Sequence, residues 1–191
     1  CADYARMLGE RLGKTNLEIE ILDHDVRVPT DQLTGVWSAF IHAVRNMVDH
    51  GIESPEQRSA RGKSEMGHLT LETMSLGSDL WISIADDGAG VDWGRVAEKA
   101  RMLGLPASTQ RDLDEALFAS GVSTSSEVSE TSGRGVGMDA LRTACRELGG
   151  RVEVHSEQGR GTRITCVVPL QRASRSRRPT GGVSQLIPVI Q

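Results

Sequence analysis

Aromatic side chains are nearly missing from this chain: three Trp, two Phe and one Tyr stand among 191 residues. Whatever core it builds must rest on Leu, Val, Ile, Ala and Met. Long hydrophobic runs are missing as well. None approaches the roughly 20 residues of a membrane-spanning helix, so direct membrane insertion is not expected. No signal-peptide pattern opens the chain. Cysteine is scarce: Cys1, Cys145 and Cys166 are odd in number, far apart and without metal-ligand spacing. They read as reduced thiols of a cytoplasmic protein. An excess of one charge is also lacking, and the formal net charge of −4 argues neither for nor against nucleic acid. No internal repeat is visible.

What is present suits a globular chain, with 38% hydrophobic and 25% charged residues. The length fits one domain with extensions, large enough for a real core. Because Cys1 falls at the start of a helical pattern, the chain reads as part of something longer. Tyr4, Met7, Leu8 and Leu12 have helical spacing, with Gly13 as a stop. Leu17, Ile19 and Ile21 alternate with acids as in a half-buried strand. A helical pattern runs from Leu33 to about Gly51, with Thr30 or Asp31 as its cap. Residues 54–67 are polar and read as a loop or short helix. The β-like runs 69–74 and 80–85 flank Gly77-Ser78-Asp79, which predicts a hairpin. Helices are expected around 93–103, 112–119 and 136–148, and a second hairpin over 151–156 and 162–170. Between them, 120–134 is rich in Ser, Thr, Gly and Glu, the composition of a lid or binding loop. After Leu170 the chain turns to Arg, Ser and Pro, so 171–191 reads as an Arg-rich linker or tail.

Three stretches carry chemistry. His42, Asn46, Asp49 and His50 lie at i, i+4, i+7 and i+8 and share one helix face, roughly opposite the apolar one. That face is either solvated surface or a ligand site. An Asn carboxamide oxygen suits Mg²⁺, which prefers hard oxygen ligands and keeps waters and phosphate oxygens elsewhere. A His one turn earlier suits proton transfer. Asp86-Asp87-Gly88-Ala89-Gly90 ends the second β-like run. Gly133-Arg134-Gly135-Val136-Gly137-Met138-Asp139 leads straight into a helix, where backbone N–H groups and the helix dipole favour anions. No Gly-Lys-Ser/Thr follows this last loop, so it is not a P-loop, and it fails the dinucleotide fingerprint too. Each motif taken alone is compatible with an ordinary turn.

Taken in order, His42-Ala43-Val44-Arg45-Asn46-Met47-Val48-Asp49-His50-Gly51-Ile52-Glu53, Asp86-Asp87-Gly88-Ala89-Gly90, Phe118, Ser132 to Asp139 and Gly161-Thr162 resemble the ATP-binding domain of the CheA family of chemotaxis histidine kinases. There they form the N, G1, F, G2 and G3 boxes of a superfamily shared with gyrase, MutL and the Hsp90-type chaperones. The resemblance covers roughly residues 4–170, and Asn-x-x-Asp-His-Gly-Ile-Glu with Ser-Gly-Arg-Gly-Val-Gly-Met-Asp is wording of the CheA branch.

The resemblance implies an α/β fold: a two-layer sandwich of a mixed β-sheet with helices packed on one face and a mobile ATP lid over 91–132. It implies a domain over 1–170 that binds ATP and Mg²⁺ and passes the γ-phosphate to a His on a separate phosphotransfer domain, with a response regulator downstream. It assigns Asn46, with His42, to the metal, and His42 also to the general base. His50 is assigned to phosphate and counted with His42 and Asn46 as catalytic. Asp86 would accept from the adenine amino group, supported by Thr162 through water, and Gly88 and Gly90 would leave room for the base. Asp49, Phe118, Ser132, Gly133, Arg134, Gly135, Val136, Gly137 and Met138 complete the expected ATP site. Dimerisation through domains outside this chain is implied, and nucleic acid is not. One departure stands out. The family commonly has Pro-Gly-Phe-Ser-Thr after the F-box Phe, where this chain has Ser120-Gly121-Val122-Ser123-Thr124. An ATP-binding regulatory module without kinase activity therefore stays open. A gyrase-like ATPase clamp is less well matched, since those members generally carry Glu at the position of His42.

Overall fold

Strands whose alternate residues are apolar must bury one face, and the short Gly-Ser turn at 77–78 lets two of them pair at once. The computed structural model describes residues 1–28, 31–119, 122 and 138–170. Its strands are β1 (Leu17–Leu22), β2 (Gly67–Leu76), β3 (Asp79–Asp86), β4 (Arg151–Glu157) and β5 (Gly161–Pro169). They form one five-stranded sheet in the order β1-β2-β3-β5-β4. β1 runs parallel to β2, and the other pairs are antiparallel. The sheet is thus mixed, as expected, and both hairpins form.

The helices are α1 (Ala2–Arg11), α2 (Thr34–Asn46), α3 (Pro55–Ala60), α4 (Trp93–Met102), α5 (Gln110–Leu117) and α6 (Met138–Glu147), with a five-residue π turn, Met47–Gly51, directly after α2. Leu69, Leu71, Leu80, Ile82, Ile84, Ile164, Cys166 and Val168 point from the strands to one face. There they meet Ala5 and Leu8 of α1, Val36, Phe40, Ala43 and Val44 of α2, and Leu141 and Cys145 of α6. Aliphatic side chains dominate this core, with Phe40 as its buried aromatic. The opposite face carries Trp81, with the Arg151 guanidinium 5.8 Å from its ring centre, and the Arg163–Glu72 pair at 3.2 Å. The chain has two layers, with α1, α2 and α6 on one side of the sheet.

α4 and α5 stand apart from that layer and bury their own small cluster: Val96, Ala100 and Ala116, closed by Val122. Val122 is the residue at which the chain departs from the family's aromatic, and it is fully buried. Two local details differ from expectation, and a third decides between two readings left open. Asp31 does not cap α2. The N-cap is Leu33 without a side-chain bond, and the Asp31 carbonyl instead accepts from the Thr34 hydroxyl at 3.2 Å. Thr30 lies outside the described residues. The segment after residue 53 does hold a helix, because Ser54 and Gln57 form a reciprocal capping box with Pro55 in the first turn. Finally, the long helix is not α throughout: it widens at Met47. The tail, 171–191, lies outside the described residues.

Candidate active site

In the π turn the Ile52 amide reaches back five residues to the Met47 carbonyl, at 2.9 Å. One extra residue in this turn rotates the later side chains about the helix axis, so Asn46 and Asp49 are half-buried while Met47 and Val48 turn into the core. His42 is half-buried and His50 is exposed, with its Nε2 3.7 Å from Asp49 Oδ2. The structure therefore places all four residues of the predicted face along one short stretch. The Asn46 carboxamide and the His42 ring make no side-chain hydrogen bond to another described residue.

Ending a helix leaves carbonyls without partners. Here they are collected by two loops. The Lys14 ammonium donates to Val48 O at 2.9 Å, to Ile52 O at 2.8 Å and to Asp49 O. The Ala89 amide donates to Gly51 O at 2.8 Å. The glycine loop after β3 is thereby stitched to the end of the α2 segment.

Asp86, the last residue of β3, is only 8% exposed. Its Oδ1 accepts the Gly88 amide at 2.8 Å, while its Oδ2 is buried without a hydrogen-bond partner among the described residues. Burial, with help from the charges of Asp87 and Glu53, pushes its carboxyl up to about 6, against the opposing pull of the Gly88 and Thr162 amides. A buried acceptor without a donor is costly and is filled in most proteins by a ligand, an ion or water. Gly51 flanks this oxygen: a Cβ there would sit 3.2 Å from Oδ2.

Gly88 and Gly90 are held to glycine by the protein's own backbone. A Cβ on Gly88 would lie 2.0 Å from Gly51 O, and one on Gly90, at φ +71°, would lie 2.3 Å from Glu157 O. The space they leave is occupied by the protein's own backbone. Thr162 pairs with Asp86 across β3 and β5, but its hydroxyl is engaged by Ser156 Oγ at 2.8 Å. Phe118 is buried under the Arg142 guanidinium of α6, 5.7 Å away, and Met138 packs at the first turn of that helix. Ser132, Gly133, Arg134, Gly135, Val136 and Gly137 lie outside the described residues. A cavity of about 870 Å³ is lined by Asp86 and Thr162 together with Trp93, Gln110 and Asp114. No residue of α2 or the π turn lines it, so it borders the Asp86 end alone.

Sequence reasoning left Asp87 and Glu53 without a task, and it overlooked Arg58, Lys63 and Lys14. Arg58 is 1% exposed. It grips Asp87 with both nitrogens, at 3.1 and 2.7 Å, touches Glu53 at 3.3 Å, and donates to the carbonyls of Ser64 and Met66. Lys63 bonds Glu53 at 3.1 Å and the Asp87 and Gly88 carbonyls at 2.8 and 2.7 Å. Burial acts to raise the Asp87 and Glu53 carboxyls, but these cationic donors more than offset it and hold both below their ordinary values. A signal did exist. Adjacent strand residues point to opposite faces, so only one of two neighbouring acids can serve the site, and its neighbour needs a cation.

Among the described residues no three His, Cys, Asp or Glu side chains converge as a metal cage. The α2 segment carries two oxygen donors, the half-buried Asn46 carboxamide and Asp49 carboxylate. That set suits a hard cation held mainly by water and phosphate oxygens.

Residues 35–172 match the family described as histidine kinase-, DNA gyrase B-, and HSP90-like ATPase. The chain is 38% identical over 175 residues to the chemotaxis protein CheA of Klebsiella aerogenes, covering 89% of this chain and 27% of that protein. It is 42% identical over 154 residues to CheA of Cereibacter sphaeroides, covering 78% and 22%. The chain thus spans about a quarter of the length of these relatives. Among solved structures it resembles the mycobacterial sensor histidine kinase MprB, with a TM-score of 0.53, 15% identity, and coverage of 88% of this chain and 94% of that one.

Proposed function

This chain belongs to the histidine kinase-, DNA gyrase B-, and HSP90-like ATPase family, and from that premise we propose that it is the catalytic ATP-binding domain of a chemotaxis-type protein histidine kinase. The observation that carries the reading is the buried, unpartnered Asp86 Oδ2. An adenine amino group is a donor of the size and polarity that would satisfy it, and a side chain at Gly51 would crowd the oxygen, with its Cβ 3.2 Å away. The ATP phosphates would then extend toward the α2 end, where His42, Asn46, Asp49 and His50 line up.

In the reaction, the substrate imidazole nitrogen forms a bond to the γ-phosphorus while the bond to the bridging oxygen of ADP breaks. Most of the work is positioning and charge neutralisation. Asn46, with His42, would hold Mg²⁺, which supplies neutralising charge to the phosphate oxygens when bound. His42 would take the proton that the substrate imidazole sheds, and His50 would donate to a phosphate oxygen. Arg134 and the amides of Ser132 to Gly137 complete the phosphate contacts in this reading, and Phe118 and Met138 support the loop. The substrate His would belong to a phosphotransfer domain in the same or a partner chain, with a response regulator downstream and dimerisation through other domains. Among the described residues no helix is long and apolar enough to cross a membrane.

The test supplies γ-labelled ATP and a phosphotransfer domain. Label should pass to a His of that domain, and Asn46→Asp should abolish the transfer. Nucleotide binding without transfer would favour the regulatory module, and steady hydrolysis without an acceptor His would favour the ATPase clamp.

A further inference from the structure

The π turn ends in carbonyls that a continuing helix would have used, and three of them converge on one side chain. Lys14 reaches Val48 O, Asp49 O and Ile52 O, a sequence distance of more than 30 residues for each contact. An ammonium has three donors and no acceptor, so the three carbonyls use its whole capacity. Its backbone is fixed as well. α1 closes with Gly13 at φ +70° and Lys14 N donating to Gly9 O at 2.8 Å, a Schellman-type stop that aims the residue after the glycine. Helix α1 therefore serves as a mount for one cation.

We propose that Lys14 is a positioning residue for nucleotide use: by tying down the π turn it sets the direction in which Asn46, Asp49 and His50 face the phosphates. This rests on the assignment of Asn46 to the metal and phosphate end. The charge is held in a half-buried place: burial lowers the Lys14 ammonium below its usual value, against the raising effect of the Asp49 and Glu53 carboxylates. Charge-assisted bonds of this kind are stronger than neutral ones. Without the cation, three inward carbonyls lose their partners together, and the turn is free to rewind toward α geometry, which rotates Asp49 and His50 relative to Asn46.

The test compares wild type with Lys14→Met, and with the milder Lys14→Gln, which keeps two neutral N–H donors. Two quantities are measured on the intact chain. The first is amide hydrogen exchange over residues 47–53 without nucleotide. The second is ATP affinity with and without Mg²⁺, whose ratio isolates the metal end of the site from the Asp86 end. In both variants, exchange over 47–53 should rise while the β3 and β5 amides stay protected. The Mg²⁺-dependent gain in affinity should fall by roughly tenfold in Lys14→Met, and affinity without Mg²⁺ should hold. Wild-type exchange in either variant, or an unchanged Mg²⁺ gain where wild type has one, overturns the proposal. Should wild type itself show no Mg²⁺ gain, the Asn46 assignment fails, and the exchange result still decides whether Lys14 anchors the turn. If Lys14→Met does not fold, Lys14→Gln carries both measurements.

Discussion

Asp86 holds an ionisable group where ionisation is costly. A carboxyl raised from 3.8 to about 6 by burial opposes folding when charged, by about 3 kcal/mol at neutral pH. The sign follows from proton counts. Between those two values the folded chain binds more protons than the unfolded one, so nucleotide-free stability falls as pH rises through that window and levels off above it. In the proposed reading, an adenine amino group donating to this carboxyl would favour its charged form, the stronger acceptor, so binding would promote release of the proton. Nucleotide affinity should therefore rise with pH between about 5 and about 7 and then flatten. Calorimetry in two buffers of different ionisation heat would count the proton released, and equal apparent enthalpies near pH 6 would exclude it. Asp86→Asn should remove the pH dependence of both stability and binding, and weaken binding by roughly a hundredfold, since a donor would face a donor.

At the scale of elements, the loop after β3 is held from two sides by buried charge. Arg58 is the centre of one side; removing it takes the cation from Asp87, whose side chain is 36% exposed, while Glu53 keeps Arg61 and Lys63. Arg58→Met should destabilise the fold by about 2–3 kcal/mol in denaturant titrations, although it touches no residue assigned to ATP. A loss under about 1 kcal/mol would show that water relieves the two acids. This clamp was not legible in the sequence. Arg58 sits in a polar, Pro-containing stretch that composition alone assigns to solvent, and its partners are remote in the chain. The π turn was hidden for a related reason. A run of apolar residues spaced for a helix looks the same whether or not one turn is widened, and what stabilises the widening is a lysine before β1. The hairpins were legible because alternation is local and Gly77 marks the turn. The polar residues of the α2 segment were picked out by α-helical spacing, which holds for His42 and Asn46, while Asp49 and His50 fall in the π turn.

For the molecule as a whole, the sheet gives the chain two poles. β3 runs from the hairpin turn to Asp86, and β5 runs back from Gly161 to Pro169, just before Leu170, whose amide donates to Ser78 O at 2.7 Å. The glycine motifs indicated a nucleotide site, while strand order was beyond local pattern, because the pairing of β5 between β3 and β4 joins segments far apart in the chain. Leu170 consequently lies a full strand, on the order of 24 Å, from Asp86. This makes the chain's exit an insulated handle. A fluorescent reporter fused after residue 170 should leave ATP affinity unchanged within about twofold, whereas one inserted at the Gln158–Arg160 turn, beside Gly90, should disturb it. Mechanical load applied through that handle would be carried along β5 and shared by β3 and β4 on either side, as shear across two ladders. The domain can be pulled from one end while its nucleotide pole stays assembled.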